Sequence, residues 1–312
     1  MTERPDASGA GQGSAQMMLA DGRPALETST ETPTERSRGL LGSKQQNRFG
    51  RYRYPAILLG RLVRTDFKLR YHGSALGYLW SVLRPLLLFL VLYLVFAKFL
   101  KFGAGIPHFP QYLLLGIILW NYFAEVTANS VAAIVGRGDL LRKIDFPKYV
   151  IILAGSFSAF INLLLNLAVL SVFMAVGRVQ VGWDALLIVP LIAELFIFAL
   201  ALSFLLSALF VRFRDVAYIW EVFMQAAFYA TPIIYPVSQV PQSIAQLQVL
   251  SPMAQIIQDA RYVLITDQTQ TIYDVYGGRA WVWLVPLAIC LVSVVLAASY
   301  FRSRSKHFAE EV

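Results

Sequence analysis

Six long apolar stretches constrain this 312-residue chain more than any other feature of its sequence. At about 1.5 Å per helical residue, each can cross the roughly 30 Å hydrocarbon layer of a bilayer as an α-helix. Only 15% of the residues are charged, whereas soluble domains carry roughly 25%. We therefore predict an all-α integral membrane protein with six transmembrane helices, at residues 79–100, 112–135, 150–176, 185–211, 217–235 and 281–300.

The positive charges predict which side of the membrane each loop occupies. With a cytoplasmic N-terminus, the cytoplasmic side holds all of the 27 Lys and Arg residues except Lys98, Lys101, Arg178, Arg261 and Arg279. Cytoplasmic loops of membrane proteins are rich in Lys and Arg. The asymmetry requires an even number of spans and predicts that both chain ends are cytoplasmic.

Residues 1–45 differ in composition from the rest of the chain. They are rich in Gly, Ser, Thr, Pro, Glu and Arg and poor in apolar residues. Such a segment cannot bury enough surface to offset its chain entropy. We expect a disordered cytoplasmic tail over 1–45, with or without a role of its own, followed by a transmembrane domain over 46–312.

The sequence contains none of several common motifs for nucleotide binding, hydrolysis or metal binding. There is no G-x-x-x-x-G-K-[ST] loop for ATP, no G-x-S-x-G elbow and no H-E-x-x-H pair. Cys290 is the single cysteine, and the three histidines are scattered at His72, His108 and His307. We therefore expect no metal site, no cofactor bound by this chain and no catalytic activity of its own, and no nucleic acid among its partners.

Residues 56–71 precede the first span and form the pattern of an amphipathic helix. At about 100° per residue, Arg61, Arg64 and Lys68 fall within one narrow arc, opposite an apolar face. Such a helix lies in the headgroup layer with its cations toward lipid phosphates. It serves as a membrane anchor, as a contact surface for a partner, or as both.

The fifth stretch is the least regular because Pro232 and Pro236 interrupt its end. Each proline removes a backbone donor, so we expect the helix to break there. In the following residues 237–280, Ser251 fits a helix N-cap and Pro252 the first helical position. One or two short helices are expected here, which either close the outer end of a pathway as a re-entrant gate or merely connect two spans.

Three acids, Glu125, Glu194 and Glu221, lie inside or at the edges of spans. Intramembrane carboxylates are functional candidates by default. Glu194 serves either as a proton relay or in an interhelical hydrogen bond, with Asn162 or Asn166 as partners.

Aromatic residues concentrate at the first and fifth spans. Some of them fit an interfacial belt or lipid-facing positions. The alternative is a pathway lined by rings that stack on sugar faces. The candidate channel aromatics are Tyr78, Trp80, Phe89, Tyr93, Trp220, Phe223, Tyr229 and Tyr235.

Several short motifs follow one another along the chain. They are R-T-D-F-K-L-R-Y at 64–71, S-x-L-G-x-L-W at 74–80 with Pro85, G-D-L-L-R-K-x-x-F-P at 138–147, F-R-D at 213–215, T-P-I-x-Y at 231–235 and Ser251-Pro252. Together these motifs resemble the permeases of ABC-2 type polysaccharide exporters, the membrane subunits that export O-antigen, teichoic acid or galactan. The likeness covers about residues 50–305 in the same order and spacing. Nothing in the family carries over to the tail before residue 45.

The resemblance implies a homodimer in the bacterial cytoplasmic (inner) membrane, joined by two separate ATP-binding cassette subunits that hold ATP and Mg²⁺. Residues 137–148 would couple the two subunits. The residues expected to face the ATPase are Asp139, Arg142, Lys143 and Phe146.

The resemblance also implies a polyprenyl-pyrophosphate-linked glycan as substrate, with membrane lipids around it. Its phosphates would meet cations near the first span. The candidates are Arg64, Lys68, Arg70 and Arg84. Arg84 is the strongest candidate among these cations, because it stands beside Pro85 within an apolar run. Its side chain can also extend to the membrane interface, as long basic side chains do.

Other functions compete with this hypothesis. A proton- or ion-coupled secondary transporter using Glu194 or Glu125 would work without an ATPase and would favour an internal repeat, of which there is no convincing trace. A polyprenyl-phosphate membrane enzyme would need clustered carboxylates, and Asp259, Asp267 and Asp274 are widely spaced. A non-transporting scaffold would leave the interrupted fifth span unexplained.

Overall fold

The computed structural model describes residues 57–65, 77, 79–138, 147–305 and 308. These residues form helices and connecting turns, with no strand among them, which confirms the all-α prediction. The helices are α1 (57–65), α2 (Leu79–Leu92), which continues as a π-helix (Tyr93–Phe99), α3 (Phe109–Val131), α4 (Tyr149–Val176), α5 (Ile188–Arg212), α6 (Val216–Ala230), α7 (Gln242–Val249), α8 (Pro252–Leu264), α9 (Ile272–Val275) and α10 (Leu284–Arg304).

Four helical segments are long and apolar enough to cross a membrane: Leu79–Phe99, Tyr149–Val176, Trp183–Arg212 and Ala280–Arg304. They coincide within a few residues with four of the six predicted spans. The chain is therefore a multi-pass membrane protein.

The other two predicted spans, α3 and α6, differ from these four for two separate reasons. Helix α3 has 23 residues but is less apolar, because it lies in the middle of the bundle and buries most of its surface against protein rather than lipid. It contacts α2, α4, α5, α6 and α8. Helix α6 has only 15 residues, about 22 Å of helix.

One end of the bundle gathers the basic residues that precede and follow the helices. Ile134, Ile151, Val211 and Phe308 form one buried cluster, which joins the end of α3, the start of α4, the end of α5 and the residue beyond α10. The ammonium group of Lys148 donates to the Ser305 carbonyl at 2.5 Å. We call this the basic end and define it by Arg137, Lys148, Arg212 and Arg302.

The segment after α6 leaves the helix where the sequence predicts a break. Thr231 is extended, with ψ 136°, as a residue before proline prefers to be. Three short helices then follow, α7, α8 and α9. Ser251 precedes α8 in an extended conformation and Pro252 is its first residue, as predicted. Helix α8 packs between α3, α5 and α10 and is buried over most of its length.

Candidate functional site

A cavity of about 540 Å³ lies between α2, α3 and α4. We call it the polar cavity, because seven of its lining residues carry charged, amide or serine side chains. They are Ser81, Arg84, Asn121, Glu125, Asn129, Asn162 and Asn166. Their spacing explains how they meet: 121, 125 and 129 on α3, and 162 and 166 on α4, recur every four residues and therefore share one face of each helix. That periodicity was visible in the sequence, although of these residues only Arg84 was predicted to bind substrate and only Glu125 was named as a functional acid.

Asn166 replaces a backbone hydrogen bond that Pro85 removes from α2 at this cavity. In a regular helix the amide of residue 85 would donate to the Ser81 carbonyl, but proline has no such donor. The side-chain amide of Asn166 donates to the Ser81 carbonyl instead, at 3.2 Å. Pro85 is thereby tolerated inside α2, and α2 is fixed to α4 beside Arg84.

Asn162 and Glu125 link α4 to α3 across the cavity. Asn162 Nδ2 donates to Glu125 Oε1 at 3.1 Å, and the Asn162 backbone carbonyl accepts from Asn166 Nδ2 at 2.8 Å. Tyr122 also lines the cavity. Among the described residues, no hydrogen-bond partner is found for the Tyr122 hydroxyl or for Asn162 Oδ1, both of which are buried. Unsatisfied buried polar atoms are rare in native structures. The polar cavity therefore has bonding capacity left for a polar ligand or water.

The four predicted phosphate-binding cations are placed only in part. Arg84 is exposed and lines the polar cavity, and Arg64 is exposed on α1. Lys68 and Arg70 lie outside the described residues. On α1, Arg61 and Arg64 are exposed while Leu62 and Val63 are half-buried, and the Ser158 hydroxyl on α4 donates to the Val63 carbonyl at 3.5 Å.

The predicted aromatics around α2 occupy different environments. Trp80 is 44% exposed and lines the polar cavity. Phe89 is buried in the core, where it packs edge-on against Phe173 at 6.2 Å between ring centroids and stacks on the half-buried Tyr93 at 5.7 Å. Tyr78 lies outside the described residues.

Two of the four predicted aromatics at the fifth span lie on open surface, and the other two are half-buried. Phe223 and Tyr229 are exposed, and Phe223 stacks on the half-buried Trp220 at 5.1 Å. The Tyr235 hydroxyl donates to the Tyr229 carbonyl at 2.9 Å and accepts from the Gln248 amide at 2.8 Å. Tyr235 thus ties the segment after α6 to α7.

The coupling residues expected from the family resemblance, Asp139, Arg142, Lys143 and Phe146, fall outside the described part of the chain. The residues that flank them, Arg137 and Lys148, belong to the basic end.

Arg261 is a residue whose role the sequence did not reveal. It is fully buried, and its guanidinium donates to the carbonyls of Tyr112 at 3.0 Å, Pro232 at 2.7 Å and Ile233 at 2.5 Å. It also lies 3.7 Å from the centroid of the Tyr112 ring. Burial lowers the pKa of Arg261, an effect that Tyr112 opposes. We call this network the Arg261 clamp: it joins α8, α3 and the irregular segment after α6. Its sequence signal was a cation in the last turn of a predicted short helix, two residues after Asp259.

A second cavity, of about 1030 Å³, lies between α5, α8, α9 and α10. We call it the acidic cavity and define it by Asp184, Glu194, Asp259 and Asp274. Burial raises the pKa of Asp259 to about 7; a hydrogen bond from Gln255 lowers it, and the charges of Glu194 and Asp274 raise it. Asp267, the third acid of the outer segment, lines an adjoining cavity.

The expected partners of Glu194 are wrong. Asn162 and Asn166 bond to Glu125 and to backbone carbonyls of α2 and α4. Glu194 faces α8 instead, where it interacts with Gln255 and shares the acidic cavity with Asp259. Sequence spacing does not specify which neighbouring helix a given face of α5 meets, and the buried packing of α8 could not be inferred from it.

Comparison with known proteins gives the family. The family model described as ABC-2 type transporter matches residues 57–265. The O-antigen export system permease protein RfbA of Myxococcus xanthus is 31% identical over 264 residues, which cover 84% of this chain and 97% of that protein. The protein of the same name from Klebsiella pneumoniae is 30% identical over 201 residues, 64% of this chain and 77% of that protein. The chain therefore belongs to the ABC-2 type transporter family of membrane proteins.

Proposed function

We propose that this chain is the transmembrane subunit of an ATP-driven exporter that moves a lipid-linked polysaccharide across the bacterial cytoplasmic membrane. The observation that carries the proposal is the polar cavity with Arg84 at its wall, in a chain related over most of its length to two O-antigen export permeases. A cation and several amides beside an otherwise apolar bundle suit the phosphates and hydroxyls of such a substrate.

The proposed subunit crosses the membrane six times with both ends in the cytoplasm. At about 1.5 Å per residue, the 23 residues of α3 cover about 34 Å, and their polar side chains are shielded by neighbouring helices. Helix α6 completes its crossing with residues 231–236, which are held by the Arg261 clamp. Non-helical backbone is tolerated at membrane depth where protein surrounds it. The basic end then faces the cytoplasm, as the positive-inside rule favours.

Two copies of the chain would enclose the pathway. Within one copy α6 has no buried residue and α2 buries only Pro85 and Phe89. Helices with so little burial in a single chain have surface left for a second copy. Pairing along them would place the exposed rings of Trp80, Phe223 and Tyr229 beside the moving glycan, with Tyr78, Tyr93, Trp220 and Tyr235 nearby and Phe89 packed beneath them.

Substrate would arrive at the basic end from the cytoplasmic leaflet. Arg84 in the polar cavity and Arg64 on the exposed face of α1 would bind its phosphates, together with Lys68 and Arg70. Helix α1 would lie in the headgroup layer, with its half-buried apolar residues toward the bundle. The short helices α7, α8 and α9 would close the outer end of the pathway.

Energy would come from a partner, because the whole sequence lacks a P-loop. An ATP-binding cassette subunit would dock at the basic end and hold ATP and Mg²⁺. Residues 137–148, with Asp139, Arg142, Lys143 and Phe146, would transmit its motion to α3 and α4, the two helices that this segment connects.

Co-purification with an endogenous ATPase, followed by reconstitution in nanodiscs, tests this proposal. We expect a complex with two copies of each subunit, whose ATP hydrolysis responds to lipid-linked glycan. A chain that purifies without an ATPase and transports in the absence of ATP would contradict the proposal and favour an ion-coupled transporter.

A further inference from the structure

We propose that the acidic cavity binds a phospholipid through a primary ammonium headgroup, as phosphatidylethanolamine carries. The site is separate from the proposed glycan pathway, because neither α2 nor α6 contributes a residue to its lining. The inference does not depend on what the chain transports.

Charge is the first argument. The cavity is lined by four acids, Asp184, Glu194, Asp259 and Asp274, and none of the described residues that line it is basic. Three aromatic side chains, Tyr262, Tyr273 and Trp283, stand beside these acids and are exposed. Carboxylates together with aromatic faces are the groups that recognise ammonium ions.

Unused hydrogen-bond acceptors are the second and independent argument. Asp259 is 3% exposed and Gln255 is 2% exposed, and both line the cavity. Gln255 Nε2 donates to Asp259 Oδ2 at 2.5 Å. Within the described part of the chain, Asp259 Oδ1, Gln255 Oε1 and Glu194 Oε1 have no partner. Three acceptors without donors match a primary ammonium, which has three N–H groups, whereas a quaternary ammonium has none.

The rest of the cavity fits an acyl chain. Deeper along α5 and α10 its wall is apolar, and Ile197, Leu287 and Leu291 are exposed there. Both helices belong to candidate membrane spans, so this open groove faces lipid. An amphiphile with an ammonium head and an apolar tail satisfies both halves of the cavity.

A neighbouring cavity suits the lipid phosphate. It shares Asp184, Tyr262 and Val263 with the acidic cavity and carries Arg178 and His108. A zwitterionic headgroup can therefore place its ammonium among the acids and its phosphate toward Arg178. A simple alkylamine would leave this second cavity unused.

Lipid titration of the full-length protein in detergent tests the proposal, at a pH well above 7 where the Asp259 carboxyl is ionised. Phosphatidylethanolamine, phosphatidylcholine and phosphatidylglycerol with identical acyl chains are compared by native mass spectrometry. Phosphatidylcholine keeps the phosphate but has no ammonium N–H, and phosphatidylglycerol has no ammonium at all. We expect phosphatidylethanolamine to bind at least about tenfold more tightly than either, the ratio that one charged hydrogen bond of roughly 1.4 kcal/mol produces.

Three variants test whether the preference for phosphatidylethanolamine arises in the acidic cavity. Glu194→Gln and Asp259→Asn keep the side-chain size and should abolish the preference for phosphatidylethanolamine. Leu291→Trp fills the groove from a side chain that is 65% exposed and should weaken binding of all three lipids without disturbing the core. Asp215→Asn, an exposed acid of the F-R-D segment between α5 and α6, is the control and should behave as the wild type.

Two results would overturn the proposal. Equal binding of phosphatidylethanolamine and phosphatidylcholine would show that the oxygens of the cavity do not accept hydrogen bonds from an ammonium headgroup. An unchanged preference in Glu194→Gln together with unchanged lipid affinity in Leu291→Trp would show that the lipid binds elsewhere. If Asp259→Asn does not fold, these two variants carry the test, since their sites lie on the half-buried and exposed walls of the cavity.

Discussion

Arg84 on the apolar helix α2 and Arg261 on the more polar helix α8 differ in burial, and therefore in what their guanidinium groups can bind. Arg84 is exposed at the wall of the polar cavity, next to a proline-containing turn that Asn166 supports. Arg261 is fully buried, with its guanidinium bound to three backbone carbonyls and placed over a tyrosine ring. The first arginine has donors available for a ligand. The second has committed its donors to holding irregular backbone inside the bundle.

Removing the buried arginine should have the largest effect on stability. Arg261→Ala removes three hydrogen bonds from a charged donor to buried carbonyls, although the Pro232 carbonyl keeps the Gln258 amide as a donor at 3.2 Å. Hydrogen bonds to charged groups contribute roughly 1.5–3 kcal/mol each, so we expect a loss of at least about 3 kcal/mol. In a protein of this size the thermal midpoint in detergent should fall by roughly 6 °C or more. Arg279→Ala, which removes an exposed cation between α9 and α10, is the control. Equal midpoints for the two variants would mean that the Arg261 clamp does not stabilise the fold.

A methyl group placed against the Arg261 clamp should have a smaller effect. A Cβ at Gly116 would lie 2.5 Å from Arg261 Nη2, so either the guanidinium or α3 has to shift. We expect Gly116→Ala to cost about 1–3 kcal/mol, as overpacking usually does. Gly155→Ala is the matched control, since a Cβ on this glycine of α4 meets nothing within 4 Å. That control should be neutral or slightly stabilising, and a similar loss in both variants would contradict the close contact.

The acid near the Arg261 clamp should make stability depend on pH. Burial raises the pKa of Asp259 to about 7 from its usual 3.8, so the folded protein keeps a proton that the unfolded chain releases. Stability should therefore be fully present below about pH 4 and fall as the pH rises toward 7. Thermal midpoints measured across this range should fall less in Asp259→Asn than in the wild type. Parallel pH profiles for the two proteins would argue against a buried, protonated Asp259.

The exposed arginine should have the smallest effect on stability. Surface substitutions away from special features usually stay within about 0.5 kcal/mol. Arg84→Ala should therefore leave the thermal midpoint near the wild-type value, in contrast to Arg261→Ala. A drop as large as that of Arg261→Ala would show that Arg84 is also part of the packed structure.

The surroundings of Arg84 and those of Arg261 were not equally predictable from the sequence. Hydropathy identified the four long apolar helices, and the proline rules predicted the break that ends α6 before Pro232 and the start of α8 at Pro252. These features depend on local chain geometry. Arg84 was recognised because a cation beside a proline in an apolar run is unusual at the level of sequence alone.

The contacts between distant segments could not be predicted in the same way. Arg261 joins residues 112, 232 and 233, and nothing local to α8 specifies those partners. Glu194 was assigned to asparagines of α4 but faces Gln255 of α8. The polarity of α3 also follows from its central position, because a helix that is covered by protein does not need a lipid-compatible surface.

Export by a strain that carries Arg84→Ala as its only copy tests the central claim most directly. The measurement is the amount of glycan at the cell surface, with co-purification of the ATPase subunit recorded from the same cells. We predict a strong reduction in export with normal assembly, and partial recovery in Arg84→Lys, which keeps the charge but loses the bidentate geometry. Full export by Arg84→Ala with an intact complex would contradict the proposed role of the polar cavity in binding the substrate's phosphates.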